Sequence, residues 1–195
     1  MPSRRALSLF AASTLALSAL PGSAAGDDLP EKGKVEIKSF AVTGSNAPRI
    51  VARAVVDMPA KKLWAVVSDC AHYKERLPRV AASELVKKEG NVHTCKVTIA
   101  MPFPLSNLTG VSEAVHEESE AGMTRRWKLV SGDYKVNDGS WEVRPLDKSG
   151  TSSLVVYTVH AEPNTSVPDF IREAAQKKML PEMIERVKAE AAKLP

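Results

Sequence analysis

The chain has 195 residues, and its 27 basic and 23 acidic residues give a formal net charge of only +4. A chain of this length usually folds as one domain with its own hydrophobic core. Because the charge is weak and evenly spread, it argues against a basic surface that would neutralise the phosphates of a nucleic acid. We therefore expect a globular domain that does not bind nucleic acid.

The first 25 residues have the three parts of a cleavable secretory signal peptide. Arg4 and Arg5 give a positive start, residues 6–20 form an apolar run, and Ser23-Ala24-Ala25 supplies the small residues that precede cleavage. The apolar run is shorter than the roughly 20 residues of a membrane span, so an uncleaved anchor is the weaker alternative. We expect an exported protein, either periplasmic or secreted.

A polar tether is predicted over residues 26–34, followed by one domain over residues 35–195. Two stretches in which apolar and polar residues alternate, 35–43 and 49–56, flank the turn-forming sequence Gly44-Ser45-Asn46-Ala47-Pro48. Alternation with a period of two indicates β-strands, and a turn between two such stretches predicts a hairpin.

Two short helices are predicted after this hairpin. Pro59 suits the first turn of a helix, and Asp57 is its predicted N-cap. The apolar face of the first helix continues to Asp69, and a second helix over residues 71–77 ends before Pro78.

Six further stretches alternate with period two and are predicted to form an antiparallel meander. They cover residues 82–88, 92–101, 108–117, 123–130, 134–144 and 153–161. A helix over residues 167–193 then ends the chain. Its apolar residues change sides at Pro181, and proline inside a helix removes a hydrogen bond. We therefore predict a kink at Leu180-Pro181, with the two halves of the helix facing different surroundings.

These elements resemble the START-like polyketide cyclase and coenzyme-Q-binding superfamily. The resemblance rests on short motifs in matching order: residues 56–64, residues 69–83 with Asp69, Tyr73, Pro78, Val80 and Ser83, residues 101–106, Gly139-Ser140-Trp141, Val167-Pro168-Asp169-Phe170 and Leu180-Pro181. It implies an α+β helix-grip fold, in which a curved antiparallel sheet wraps around a long C-terminal helix.

The same resemblance implies an apolar cavity between sheet and helix, and a hydrophobic small molecule as partner. This ligand would be a lipid, a sterol or a polyprenoid-like molecule. We expect a monomer that contacts a membrane only transiently. We expect no cofactor and no metal, since His72, His93, His116 and His160 do not have the spacing of metal ligands. The candidate lining residues are Ile50, Ala52, Ala54, Val97, Ile99, Met101, Phe103, Trp127, Trp141, Tyr157, Phe170 and Ala174. For each of them an ordinary packed core is the alternative, since a core produces the same alternation.

Two charged residues interrupt apolar strand faces. Glu113 lies between two valines and Arg125 between Met123 and Trp127. If both faces point inward, the two charges pair with each other or one of them meets a ligand head group, because an unpaired buried ion is costly. The alternative is that both lie at the sheet rim or face solvent.

Cys70 and Cys95 are the only two cysteines. Export permits a disulfide between them, and an even count agrees with one. Two buried thiols that pack as small apolar groups are equally consistent with the sequence.

Three functions remain open. A carrier or sequestering protein requires only a cavity, a mouth and export. A cyclase or aromatase would require an acid or base in the cavity, for which Tyr157, Glu113 and His93 are the candidates. A module that binds another protein through the hairpin or the helix is the third. Export favours the carrier, since the cytoplasmic partners of related proteins are out of reach.

Overall fold

The computed structural model describes residues 28–195. The predicted signal peptide, residues 1–25, lies outside the described residues. The described part of the predicted tether lies against the domain, where the guanidinium of Arg53 donates a hydrogen bond to the backbone carbonyl of Asp28 at 3.1 Å. Within residues 28–195 no helix is long and apolar enough to span a bilayer.

Eight antiparallel strands form a single sheet. They are β1 (Val35–Phe40), β2 (Arg49–Val56), β3 (Val80–Glu89), β4 (Val92–Ile99), β5 (Leu108–Ser119), β6 (Gly122–Gly132), β7 (Tyr134–Pro145) and β8 (Ser153–Pro163). Their order in the sheet is β1-β2-β8-β7-β6-β5-β4-β3. The predicted hairpin and meander are therefore present, and they join where β2 pairs with β8.

Short helices follow the hairpin. They are α1 (Ala60–Val67), a 3₁₀ turn (Cys70–His72) and α2 (Tyr73–Arg76). The predicted N-cap is wrong: α1 begins after Pro59 without a side-chain cap, and Asp57 instead pairs with Lys32 at 3.0 Å. Proline already fixes the backbone angle that the first helical turn needs, so the missing cap is tolerated.

The C-terminal helix has three contiguous segments, α3 (Asp169–Ala174), a π-helical segment (Ala175–Met179) and α4 (Leu180–Lys193). The predicted kink at Leu180-Pro181 takes the form of this wider turn, in which the N–H of Leu180 donates to the carbonyl of Ala175. Pro181 has no N–H, and its ring crowds the carbonyl one turn earlier. A π turn of this kind relieves the crowding without ending the helix.

The main core lies between the inner face of the sheet, α1 and α4. Leu63, Val66 and Val67 of α1 meet Ile184 and Val187 of α4, and all five are fully or almost fully buried. Each such side chain stabilises the fold by roughly 1.5–3 kcal/mol. The sheet, the short helices and the long C-terminal helix confirm the predicted helix-grip fold.

A disulfide joins Cys70 to Cys95, with their Cα atoms 6.3 Å apart. Both residues are buried. The bridge fastens the 3₁₀ turn after α1 to the middle of β4, so the helices are held covalently to the sheet.

Candidate functional site

A cavity of about 1060 Å³ lies at one end of the sheet, beneath the first half of the C-terminal helix. At this end β2, β5 and β7 begin, while β4 and β8 end, because neighbouring strands run antiparallel. The cavity is about as large as the largest small-molecule sites, which reach roughly 1,000 Å³ and are concave and mostly apolar.

The helix wall of the cavity comes from α3 and the π-helical segment. Phe170, Ile171 and Ala174 line it from α3, and Ala175 and Met179 from the π-helical segment. The apolar residues of α4 pack into the core instead. The two halves of the helix thus face different surroundings, as predicted, and the segment that accommodates Pro181 is itself part of the cavity wall.

The sheet wall is lined mainly by apolar side chains from four strands. They are Ile50 of β2, Ile99 of β4, Leu108 of β5, and Val159 and Ala161 of β8. Small or branched side chains at these positions leave space that bulky ones would fill.

The other half of the inner sheet face is filled by aromatic rings. The ring centroids of Trp141 and Tyr157 lie 4.5 Å apart, and those of Trp127 and Tyr157 lie 5.9 Å apart. Gly139 allows this packing, since a Cβ there would lie 2.5 Å from the indole of Trp127. Burial raises the pKa of the Tyr157 phenol, which keeps it neutral.

All of the predicted apolar lining residues except Phe103 fall into two groups. Ile50, Ile99, Met101, Phe170 and Ala174 line the cavity. Six others face inward but do not line it: Ala52, Ala54, Val97, Trp127, Trp141 and Tyr157. These six lie in or against the packed core, where helices or aromatic rings occupy the space that a ligand would need.

Phe103 does not line the cavity either, because its side chain is 97% exposed on the loop between β4 and β5. This loop also carries Met101 and Pro102, which do line the cavity. Phe103 therefore lies beside the cavity mouth and points into solvent.

Glu113 and Arg125 do not meet, contrary to the predicted pairing. Glu113 lies opposite Lys128 and is exposed on the outer face of the sheet, whereas Arg125 lies opposite His116 and is buried in the core. The pairing is therefore wrong, and so is the alternative that both charges lie at the sheet rim or face solvent, because Arg125 is buried. Neither residue lines the cavity.

Sequence reasoning missed several residues of the cavity wall, including Leu108, Tyr134, Val159 and Ala161. All four lie in the half of a strand that the hairpin topology brings to the cavity end of the sheet. The signal was therefore present in the strand order, but alternation along each strand does not carry it.

Polar groups line the cavity near its mouth. Burial and the nearby carboxylate of Asp133 raise the pKa of Tyr134 to about 12, so its hydroxyl remains a neutral hydrogen-bonding group. Arg79 also lines the cavity and has a left-handed backbone with φ of 61°. Such a conformation is uncommon for a residue with a side chain and is often found at functional sites.

One rim of the cavity is the loop between β1 and β2, and Glu162 of β8 holds it in place. The Glu162 carboxylate accepts hydrogen bonds from the hydroxyl of Ser45, the N–H of Asn46 at 3.3 Å and the ammonium of Lys135 at 2.9 Å. These contacts with Ser45 and Lys135 lower the pKa of Glu162 to about 2. The loop is thus fixed where Ala47 and Pro48 line the cavity.

One cluster resembles a catalytic triad in its order of contacts, with Ser45 next to His160 and His160 next to Asp138. Ser45 Oγ lies 2.9 Å from His160 Nε2, and His160 Nδ1 lies 3.4 Å from Asp138. However, the single hydroxyl proton of Ser45 is donated to Glu162, and the N–H of Ala47 donates to its oxygen at 3.1 Å. The hydroxyl proton of Ser45 is therefore engaged with Glu162 and is not held by His160, so the cluster anchors the loop instead of activating a nucleophile.

We expect Glu162→Gln to lower the thermal midpoint of unfolding by a few degrees at pH 7 and to have no effect at pH 2. The folded pKa of Glu162 is below the usual value of 4.5, so its carboxylate stabilises the fold above pH 4.5. That contribution is lost as the pH falls towards 2. Thermal melts of both proteins across this range check the prediction, and a difference that does not change with pH would contradict it.

Among residues 28–195, no three histidine, cysteine, aspartate or glutamate side chains are grouped so as to hold a metal ion. The three residues that the sequence offers as acid or base for a cyclase lie in three different environments. Tyr157 is in the aromatic core, Glu113 is on the outer face, and His93 packs against His116 at 4.0 Å between ring centroids. None of the three lines the cavity.

Solved structures share this fold. The STAR-related lipid transfer protein fragment from Xanthomonas axonopodis is 20% identical, with a TM-score of 0.71 over 84% of this chain and 97% of that one. Human STARD10 is 16% identical, with a TM-score of 0.71 over 85% and 72% of the two chains. The Zhui aromatase/cyclase from Streptomyces sp. R1128 is 15% identical, with a TM-score of 0.53 over 74% and 88%.

At these identities the solved structures show the fold alone, and no curated protein sequence matches the chain. A family model described as polyketide cyclase / dehydrase and lipid transport, in contrast, matches residues 56–188. The match runs from the last residue of β2 into α4 and so includes most of the sheet and helix described above. The chain therefore belongs to the polyketide cyclase / dehydrase and lipid transport family, of the START-like type that its motifs predicted.

Proposed function

We propose that this protein is an exported carrier that holds a lipid or another hydrophobic molecule between the sheet and the C-terminal helix, for transport or sequestration. The observation that carries the proposal is the cavity of about 1060 Å³ with apolar side chains on both walls. A cavity of this kind stays open only where the side chains around it are too small to fill it, since protein interiors are otherwise close-packed.

Two exposed aromatic residues beside the mouth support loading from a membrane. Phe103 is 97% exposed and Phe170 is 71% exposed, although Phe170 also lines the cavity. Exposed apolar side chains around an apolar opening are typical of surfaces that meet lipid or another protein. A transient contact of this rim with a membrane would let a ligand pass into the cavity without crossing water.

Export is supported by two features. The N-terminal sequence has the charge, apolar run and small residues of a signal peptide. The Cys70–Cys95 disulfide is the kind of bond that persists in oxidising compartments and is rare in the cytosol. A ligand that enters or leaves a membrane from its outer side is therefore the ligand class we favour.

The test is to purify the protein from the compartment where the cell places it, denature it and identify the extracted small molecules by mass spectrometry. We expect one class of hydrophobic molecule in near-stoichiometric amount. An empty protein that also fails to take up Nile red would contradict the carrier. Turnover of a poly-β-keto substrate would favour the cyclase, and capture of a defined protein partner by an empty protein would favour the binding module.

A further inference from the structure

Arg125 is a buried positive charge without a carboxylate partner among the residues that the structure describes. Arg125 is 4% exposed. The only hydrogen-bond partner of its Nη2 is the sulfur of Cys95, at 3.6 Å. Its guanidinium lies 5.7 Å from the ring centroid of Tyr73 and 5.3 Å from that of Trp127. Aromatic faces attract a cation, but they do not neutralise its charge.

Arg53 is a second buried arginine, and unlike Arg125 it has a carboxylate partner. It is 8% exposed, yet its guanidinium pairs with Glu36 at 3.3 Å and donates to the backbone carbonyl of Asp28. Asp69, which precedes the 3₁₀ turn, does not serve Arg125, because its carboxylate already pairs with His72 and Arg76. The charge of Arg125 is therefore left for a group from outside the described chain to neutralise.

His116, beside Arg125, also has a buried nitrogen without a hydrogen-bond partner. It is the residue directly opposite Arg125 on β5, and it is 7% exposed. Both His116 Nε2 and Arg125 Nε are buried without a hydrogen-bond partner. Two unsatisfied nitrogens at one level of the sheet point to a further hydrogen-bonding group between them, because nearly all buried polar groups in proteins are paired.

We propose that Arg125 and His116 bind one compact monovalent anion, such as chloride or formate, in the core between β5, β6 and the helices. A water molecule would satisfy the two nitrogens but would leave the guanidinium charge uncompensated. The enclosure by Trp64, Tyr73 and Trp127 limits the site to a small ion. The half-buried His93, whose ring is tilted by 52° against that of His116 at 4.0 Å between centroids, marks the side nearest to solvent.

The electrostatics of His116 agree with an anion site. Burial and the positive surroundings, including His93 and Arg125, lower the pKa of His116 to about 4. A bound anion would oppose these effects and raise that pKa. The site does not rest on the proposed carrier function, because neither residue lines the cavity and the aromatic core separates them from it.

The test is thermal unfolding of the purified protein in sodium chloride, sodium formate and sodium gluconate at equal ionic strength. Chloride and formate are expected to raise the midpoint by about 4 °C for each tenfold rise in concentration above the dissociation constant. Gluconate, which is too bulky for the enclosure, is expected to have no such effect. Equal midpoints in all three salts would overturn the proposal.

Two variants sharpen the test. Arg125→Met removes the charge and should abolish the difference between chloride and gluconate, whereas Arg53→Met, at an equally buried but paired arginine, should retain it. If Arg125→Met does not fold, crystals of the wild-type protein soaked in sodium bromide decide the question. An anomalous peak within hydrogen-bond distance of Arg125 Nε and His116 Nε2 supports the site, and its absence shows that water alone fills it.

Discussion

Replacement of both Cys70 and Cys95 by alanine is expected to lower the free energy of unfolding by about 5 kcal/mol in an oxidising buffer, of which about 3.5 kcal/mol comes from the lost cross-link and the rest from the lost packing of the two sulfur atoms. The bridge closes a loop with a sequence separation of 25, and this restricts the unfolded chain far more than the folded one. Since globular domains of this size are stabilised by only about 5–15 kcal/mol, the loss is a large part of the total. Urea denaturation of the two proteins measures it.

Alanine is the appropriate replacement because both cysteines are buried and serine would add an unpaired hydroxyl. The control is a comparison of wild type and the double variant in strong reductant after unfolding and refolding. There we expect a difference of only about 1–2 kcal/mol, which reports the packing of the two sulfur atoms alone. Equal stability of the two proteins in oxidising buffer would contradict the prediction.

The disulfide also shows what the sequence could not decide. The even number of cysteines and the predicted signal peptide permit a bridge, but a bridge requires that two Cα atoms approach to about 6 Å. That distance depends on how the 3₁₀ turn after α1 lies on β4. Only the packing of α1 and α2 against the sheet brings Cys70 to Cys95, and no local pattern contains that information.

The strands, in contrast, were predictable almost to their ends, because alternation and turn residues are local signals. The site was predictable only in part. Alternation correctly placed Ile50, Ile99, Trp127 and Tyr157 on the inner face. It says nothing about which end of that face is covered by helices and rings and which end stays open. That difference arises from long-range packing around Gly139 and from the path of the C-terminal helix.

Glu113 was misassigned for a related reason. It lies between Val111 and Val115, and an apolar flank suggests an inward face. On β5, however, the inward positions are small or polar residues such as Ser112, Ala114 and His116, while Val115 is 40% exposed. Other core groups pack against these inward positions, as Trp64 of α1 does against His116 at 5.4 Å between ring centroids. Hydrophobicity alone therefore predicts the wrong face of this strand.

The double variant Ala161→Trp/Ala174→Trp is expected to weaken uptake of an apolar dye such as Nile red by about a hundredfold or more, which corresponds to about 2.7 kcal/mol of binding free energy. Ala161 lines the cavity from β8, and Ala174 lines it from α3 on the opposite wall. Two indoles that enter from both walls would occupy much of the space that the ligand needs. Fluorescence titration of the dye measures the effect.

A matched control is available in the chain, since Ala82 on β3 and Ala192 on α4 are also a strand and a helix alanine. Both are exposed and neither lines the cavity, so Ala82→Trp/Ala192→Trp should bind the dye as wild type does. Circular dichroism and thermal melts establish that both variants are folded. A folded cavity variant with undiminished dye binding would place the hydrophobic site elsewhere on the protein. A selective loss would instead show that the space beneath α3 and the π-helical segment is where the molecule holds its ligand, because the two variants differ only in where the indoles are placed.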